Sequence, residues 1–386
     1  MTDWNPQRFQ KAAREVDAPP ALVRNAINAA NAVTLRHAAL PPILSLRHLA
    51  DQSDVPYPVL RSVIERRAGR PYLLFRIRKQ GPDAEHRYRL ITVPSPQLMQ
   101  AQRWIARRVL RAVPPHPAST AFAPGRGPVA TAWAHCGARW LVKVDVKSFF
   151  ESLTEIGAYR VYASLGYQPL IAFELARLST RVRTSSPENL SRKWRAANVG
   201  GTRPRGLPAY WHEELGYLPQ GAPTSPMLSN LCMRGMDERL SGIADGEGFT
   251  YTRYADDITF SARAIPFDRD RARRVVGRIY KELGAEGLSP NLTKTQIVPP
   301  GARKVVLGLL VDGDAPRLPK RFKSALRMHL HHLTREGAGP AAHAEARGFD
   351  SILSMRAHIE GLIAYARQVE PTYGEACRAE FRSVDW

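Results

Sequence analysis

Asp256 and Asp257 lie side by side in Tyr254-Ala255-Asp256-Asp257, between two short apolar runs. Adjacent carboxylates repel, and the run that follows, Ile258-Thr259-Phe260, offers no Arg or Lys to balance them. A divalent cation relieves such a pair. Successive strand residues point to opposite faces, so both acids reach one site only where the chain bends. A third acid, Asp145, ends a β-branched run at 140–146 and opens Val144-Asp145-Val146-Lys147-Ser148-Phe149-Phe150. A strand-end Asp together with an Asp-Asp hairpin is the smallest set for two-metal phosphoryl transfer. One ion would activate an attacking 3′-hydroxyl and the other would steady the leaving pyrophosphate. Carboxylates with water and phosphate oxygens suit Mg²⁺ (two ions), with Mn²⁺ as a substitute. The plainer reading of Asp256-Asp257 is a polar turn, since Asp favours turns.

These acids need strands to hold them. Periodicity predicts strands at 140–146, 249–254 and 258–262, a helix at 226–240 with Leu228, Leu231 and Met236 inward, and a helix at about 268–285. Strands follow near 295–298 and 304–311, then helices at 317–333 and 350–369. Upstream, residues 1–70 read as short helices broken at Pro19-Pro20 and Pro41-Pro42. Tyr72, Phe75, Ile77, Tyr88 and Ile91 read as two strands about Gly81-Pro82, and 97–112 as a helix. The segment 181–210, with seven Arg or Lys and one acid, reads as a loop or insertion, either solvated or touching nucleic acid.

Charge narrows the partner. The 386 residues hold 56 Lys and Arg against 35 Asp and Glu, a net +21. Such an excess favours a polyanion, because each neutralised phosphate releases counterions. An apolar fraction of 44% belongs to a folded chain. No apolar run is long enough to span a bilayer, no amphipathic basic helix stands alone, and the N-terminus lacks the features of a secretory signal. Cys136, Cys232 and Cys377 lack metal-ligand spacing and fit a reducing cytoplasm.

Leu218 to Leu231 contains Pro219-Gln220-Gly221-Ala222-Pro223-Thr224-Ser225-Pro226, and this segment, the Asp145 strand and the Tyr-Ala-Asp-Asp box follow the order found in reverse transcriptases. The chain resembles the retron type in particular over about 70–330. Group II intron relatives more often have Gly-Gly-Ile at Ala222, Pro223 and Thr224. The resemblance implies an α/β (α+β) right-hand polymerase, with an N-terminal helical extension at 1–70, fingers and antiparallel palm sheet at 71–300, and a helical thumb at 301–386. It implies that Asp145, Asp256 and Asp257 hold the metals and that Arg87 and Arg89 hold the incoming triphosphate. Gln220, Gly221 and Ala222 would lie against nucleotide and template. Phe150, five residues after Asp145, would be the sugar gate that excludes a ribose 2′-hydroxyl. Lys294, in Asn291-Leu292-Thr293-Lys294, would protonate the departing pyrophosphate, and 305–309 would be the primer-grip strand. Two retron markers are altered: Thr131 replaces Asn before Ala132 and His135, and Leu307 replaces Thr between Val306 and Gly308.

In the thumb, Arg317, Lys320, Arg321, Lys323 and Arg327 recur at helical spacing opposite Leu318, Phe322, Leu326 and Leu330. Lys320, Lys323 and Arg327 are therefore candidate nucleic-acid contacts on a face suited to an A-form duplex. Partners expected from the resemblance are deoxynucleoside triphosphates, a structured noncoding RNA serving as template and primer, its DNA product, and a separate effector protein in anti-phage defence. A non-retron defence enzyme with template-independent or protein-primed synthesis, a group II intron-like enzyme and a non-catalytic RNA-binding protein are the alternatives.

Overall fold

The computed structural model describes residues 4–78, 88–182, 214–263, 268–335 and 339–386, with Arg78 and Arg89 as backbone positions only. The basic insertion at 181–210 thus lies outside the described residues apart from Arg181 and Val182.

Helices α1 (Pro6–Glu15), α2 (Pro20–Arg36), α3 (Leu46–Ser53) and α4 (Tyr57–Ile64) open the chain. Proline sits in the first turn of α1, α2 and α4, where a missing N–H removes no helical bond. The side chains of Asn5 and Ser45 cap α1 and α3. Strands β1 (Tyr72–Arg78) and β2 (Tyr88–Pro94) pair antiparallel, with Phe75 opposite Ile91, and lead into α5 (Pro96–Arg108). Next come α6 (Pro128–Ala134), β3 (Trp140–Asp145), α7 (Phe149–Ser152), α8 (Glu155–Ser164) and α9 (Pro169–Ser179). Helices α10 (Ser225–Cys232) and α11 (Arg234–Glu247) precede β4 (Thr250–Tyr254), β5 (Asp257–Ala262) and α12 (Arg269–Ala285). The chain ends with β6 (Gln296–Val298), β7 (Val305–Val306), β8 (Leu309–Leu310), α13 (Lys320–Thr334), α14 (Gly339–Ala346), α15 (Ile352–Val369) and α16 (Pro371–Arg382).

The expected strand at 304–311 is instead a tight hairpin. Leu307 and Gly308 both take positive φ, +48° and +84°, and reverse the chain between β7 and β8. A loop of two residues with positive φ matches the strand twist, and Gly308 supplies half of it without strain. Leu228, Leu231 and Met236 are buried as their spacing predicts.

Two compact units form. The first comprises Met1–Ala123, Val146–Glu238 and Leu283–Ser289; the second comprises Pro124–Asp145, Arg239–Glu282 and Pro290–Trp386. The second holds an antiparallel sheet in the order β4-β5-β3-β6. Its central strand β5 is buried from Ile258 through Ala262, hence its unbroken run of apolar and small residues. The same unit packs Leu326, Leu330, Met355, Ile359 and Ile363 of the C-terminal helices against Leu141, Val306 and Leu309.

The first unit is organised around a buried ion cluster. Glu155, 5% exposed, accepts from Arg66 Nη2 at 2.6 Å and from Arg177 Nε at 2.5 Å. Arg66 also donates to the carbonyl oxygens of Thr180 and Arg177, and its Nη2 to Thr180 Oγ1. Burial alone would push the Glu155 carboxyl up, but the two guanidinium charges and their hydrogen bonds outweigh it and hold the group below the usual carboxylate range. Gly216 lies against this cluster so closely that a Cβ there would stand 2.4 Å from Glu155 Oε2. Glu155 N donates to Gly216 O, Arg181 pairs with Tyr217, and Leu218 N donates to Leu153 O. The cluster therefore anchors the segment that leads into Pro219-Gln220-Gly221.

Glu155→Gln leaves two buried guanidinium groups without a counter-charge and should cost about 3–5 kcal/mol, read as a lower melting temperature at pH 7. The lowered carboxyl contributes stability that is complete above its ordinary 4.5 and lost only as pH falls through its lower folded value. The difference between wild type and variant should therefore shrink on acidification below that point. A difference that stays constant with pH would refute the ion-cluster account.

Candidate active site

The three acids converge through strand register within the second unit. In the β3–β5 ladder Asp145 stands directly opposite Asp257, and in the β4–β5 ladder Tyr254 stands opposite Asp257. Ala255 and Asp256 form the two-residue loop of that hairpin, with Ala255 at φ +55°. Left-handed backbone is unfavourable for alanine, so the turn needs support. Arg253, with no solvent exposure, gives it by donating from Nη1 to Ala255 O at 3.0 Å. The bend lets consecutive acids serve one end of the sheet.

Like charges opposite one another across a ladder are destabilising. Burial, then the charges of Asp257 and Asp145, push the Asp256 carboxyl up to about 6. Asp257 is also raised, by burial first, with Asp145 adding to the rise and Lys143 and Lys294 opposing it. The cations come from Lys143, on the neighbouring strand, and from Lys294, not from the strand that follows the acids. Lys294 Nζ lies 3.0 Å from Asp145 Oδ2, and Asn291 Nδ2 donates to Asp145 Oδ1 at 3.0 Å. Asn291 N also donates to Asp145 O at 2.7 Å, tying this loop to the end of β3. Among the described residues no three His, Cys, Asp or Glu side chains are grouped as a preformed metal site, and Asp145 is engaged by Asn291 and Lys294. The donor set is nonetheless all carboxylate oxygen, which fits Mg²⁺. The ammonium of Lys294 stands at Asp145, where the repulsion calls for positive charge.

The expected nucleotide residues of the first unit are likewise placed by backbone. Thr92 N donates to Gln220 O at 2.7 Å, which docks the Pro219–Ala222 turn on β2. Gly221 has φ +111°, and a Cβ there would meet Ile91 Cγ2 and Thr92 O at 3.0 Å, so only glycine fits. Ala222 is buried, and Ser225 Oγ donates to Pro219 O, closing the turn. Phe150 is half-buried, its ring 5.4 Å from Phe149 and 6.3 Å from Phe122. Arg87 lies outside the described residues, and Arg89 is a backbone position opposite Ile77.

In α13, Lys320 is exposed at the first position, and Leu318, Leu326 and Leu330 are buried as expected. Lys323 is different: its Nζ pairs with Glu370 Oε2 at 2.5 Å and lies over the Tyr373 ring. Arg327 stacks on the same ring at 5.7 Å. Lys323 thus carries a balanced charge and fastens α13 to the junction of α15 and α16.

Three residues escaped the reading of the sequence: Asn291 as the partner of Asp145, Arg253 beneath the turn, and His135 as a structural tie. Arg253 did leave a signal, the one charged residue in a strand otherwise made of Thr and Tyr. His135 is buried, with Nδ1 2.7 Å from Ser261 Oγ and Nε2 2.7 Å from Thr252 Oγ1. It therefore joins the end of α6 to both strands of the Asp-Asp hairpin.

Residues 77–309, more than half of the chain, match the family of reverse transcriptases (RNA-dependent DNA polymerases), and the chain belongs to that family. It is accordingly an RNA-directed DNA polymerase with a right-hand polymerase fold. Within the family its likeness runs to the retron enzymes. It is 29% identical to the retron Ec86 reverse transcriptase of Escherichia coli over 89% of this chain and 95% of that one. It is 31% identical to the retron Mx162 reverse transcriptase of Myxococcus xanthus over 79% of this chain but only 60% of that enzyme's length. Among solved structures, a foamy viral protease-reverse transcriptase in complex with double-stranded DNA overlays 81% of this chain and 38% of its own, at 14% identity and a TM-score of 0.40.

Burial, then the charge of Arg263, lowers His135 to about 4. Between 6.5 and about 4 the unfolded chain binds a proton that the folded chain does not, so this contribution to stability is lost as pH falls through that window. His135→Leu should be less stable than wild type by about 1–3 kcal/mol at pH 7.5, because it leaves two buried hydroxyls unpaired. The gap should narrow by pH 5. Denaturant unfolding at the two pH values checks this, and a gap independent of pH would remove His135 from the account.

Proposed function

We propose that this reverse transcriptase is of the retron kind in function as well as in likeness, copying a structured noncoding RNA into DNA by two-metal nucleotidyl transfer. The observation that carries the chemistry is the register that sets Asp145 opposite Asp257, with Asp256 in the adjoining strained turn. Asp145, Asp256 and Asp257 would hold two Mg²⁺ ions, with Mn²⁺ as a substitute, and these supply activation of the 3′-hydroxyl and stabilisation of the leaving pyrophosphate. Lys294, half-exposed at its side chain, would leave Asp145 to give that pyrophosphate its proton.

Arg87 and Arg89 would receive the triphosphate of the incoming deoxynucleotide. Gln220, Gly221 and Ala222 would lie against its base and the template, and the Phe150 ring would refuse a ribose 2′-hydroxyl. Lys320 and Arg327 would follow the backbone of the template–primer duplex, recognised by its A-form shape, while Lys323 holds their helix in place. The division into an N-terminal extension at 1–70, fingers and palm at 71–300 and thumb at 301–386 serves these roles. The wider setting is a cytoplasmic anti-phage defence system with a separate effector protein. No helix among the described residues is long and apolar enough to cross a membrane.

Thr131 and Leu307, in place of the usual retron Asn and Thr, favour a second reading: a non-retron defence enzyme that makes DNA without a template or on a protein primer. Sequencing the nucleic acid that copurifies with the full chain separates the two. A single defined RNA joined to DNA supports the retron reading, and heterogeneous DNA without a template match supports the second.

Asp256→Asn preserves shape while removing one charge of the three. DNA synthesis should fall by about 10²–10³-fold or more, the scale for loss of a major electrostatic element in catalysis. The metal-free protein should keep its RNA and melt no lower than wild type, because a repulsion has been relieved. Synthesis within tenfold of wild type would sink the metal-site assignment.

A further inference from the structure

Phe122 combines two properties that rarely occur together. Its backbone is left-handed, at φ +59°, and its side chain is 43% exposed. An aromatic residue with positive φ is a conformational outlier, and here the cost is not recovered by burial. Among the described residues it is the one aromatic with positive φ.

The loop is nevertheless held firmly. Asn230, fully buried on α10, donates from Nδ2 to Ala121 O at 2.7 Å and accepts from Ser119 Oγ at 2.8 Å. Ser119 and Ala121 are also fully buried. Helix α10 directly follows the Gln220-Gly221-Ala222 turn, so Phe122 is fastened to the element that carries that turn. From this mount its ring reaches Phe150, with centroids 6.3 Å apart and planes at 50°. Phe150 meets Phe149 edge-on at 5.4 Å, and Phe149 is buried. Three rings therefore run from the core to the surface with Phe150 in the middle. Separations and tilts of this kind are those aromatic pairs prefer. Phe149 restrains Phe150 from the protein side and Phe122 restrains it from the solvent side.

We propose that Phe122 is a positioning residue for nucleotide selection: it fixes the Phe150 ring in the orientation that excludes a 2′-hydroxyl. This rests on the reading of Phe150 as the sugar gate. The strained backbone is the means by which a side chain on a surface loop is aimed at Phe150 and not at solvent. Without the Phe122 ring, Phe150 has an open side and can swing outward, and a ribonucleotide is then admitted.

The test compares incorporation of dCTP with that of CTP on one defined primer–template, as the ratio of kcat/KM, together with melting temperature. The full chain is used as wild type, Phe122→Asn, Phe122→Gly, Phe122→Tyr, Phe150→Val and Phe122→Asn/Phe150→Val. Asn and Gly accept left-handed backbone, so those variants should melt no lower than wild type. Their preference for dCTP should nevertheless drop by about tenfold, a mid-range coupling for residues in contact. Phe122→Tyr keeps the ring and should keep the preference. Phe150→Val should lose more, and adding Phe122→Asn to it should change nothing further. A wild-type ratio in Phe122→Asn and Phe122→Gly, beside a lowered ratio in Phe150→Val, overturns the proposal and leaves the gate standing. Lowered melting temperatures in both Asn and Gly variants, or additive effects in the double variant, also overturn it, since Phe122 would then act through the fold at large. An unchanged ratio in Phe150→Val removes the gate itself, and this inference with it.

Discussion

Repulsion among Asp145, Asp256 and Asp257 is the constraint around which the second unit is arranged. A ladder that faces one carboxylate with another, and adds a third at the turn beside them, is less stable than the same ladder with neutral residues there. The upward shifts of Asp256 and Asp257 express that cost, since burial and neighbouring negative charge both disfavour ionisation. Stability is supplied from either side. Buried Leu141, Val142 and Val144 of β3 pack with Ile258 and Phe260 of β5. Arg253 holds the turn by its carbonyl, His135 ties both hairpin strands to α6, and Asn291 and Lys294 clasp Asp145. Each tie keeps the acids together against their mutual repulsion.

The first unit solves a different problem, the close approach of backbone to backbone. The Pro219–Ala222 turn lies directly against β2, and Gly221 suits it because φ +111° strains any side chain and a Cβ would crowd Ile91 and Thr92 at 3.0 Å. Upstream, Gly216 is required because Glu155 fills the space a Cβ would take. Two glycines five residues apart thus seat one segment, the first against an ion cluster and the second against a strand. This explains why an elaborate buried charge set lies in the first unit, which holds none of the three acids of the carboxylate site. Glu155, Arg66 and Arg177 fix where the turn begins, and the hydrogen bond from Thr92 fixes where it ends.

Much of this was legible in the order of residues, and what was not has identifiable causes. Strands β3, β4 and β5 were visible because β-branched and aromatic residues cluster there and the acids mark their ends. The long helices α12, α13 and α15 were visible through their apolar spacing. Helices α6, α8 and α9 are not legible in the sequence: α8 has polar and apolar residues mixed around its axis, and the buried face of α9 includes Arg177, whose partner Ile64 O lies more than a hundred residues distant. The β7–β8 hairpin reads as one strand in the sequence because Leu307, a poor residue for positive φ, disguises its turn. Of the two cations beside the acids, Lys294 is legible through its motif, whereas Lys143 is not. Lys143 is brought to the acids by the pairing of β3 with β5, which no local stretch of sequence displays. On α13 the spacing of basic residues was correct, yet Lys323 is paired with Glu370, which periodicity alone does not reveal.

Positive φ at a non-glycine residue recurs in each of the two units. Ala255 begins the loop that carries Asp256, and Phe122 bears the ring beside Phe150. Glycine would be easier at either position, but not for the same reason. At Ala255 a methyl group is buried beneath the turn, so the small side chain excludes water and narrows the conformations open to the loop; glycine would leave that loop freer to move the carboxylates. At Phe122 the exposed ring gains little from burial, and its value lies in what it touches. In both cases a buried side chain, Arg253 two residues upstream or Asn230 on α10, bonds to a backbone carbonyl of the strained segment. The pattern is one physical device used twice: a conformation too costly to persist alone is held by a hydrogen bond from a buried side chain, and the side chains of the strained segment are thereby given a single place to stand.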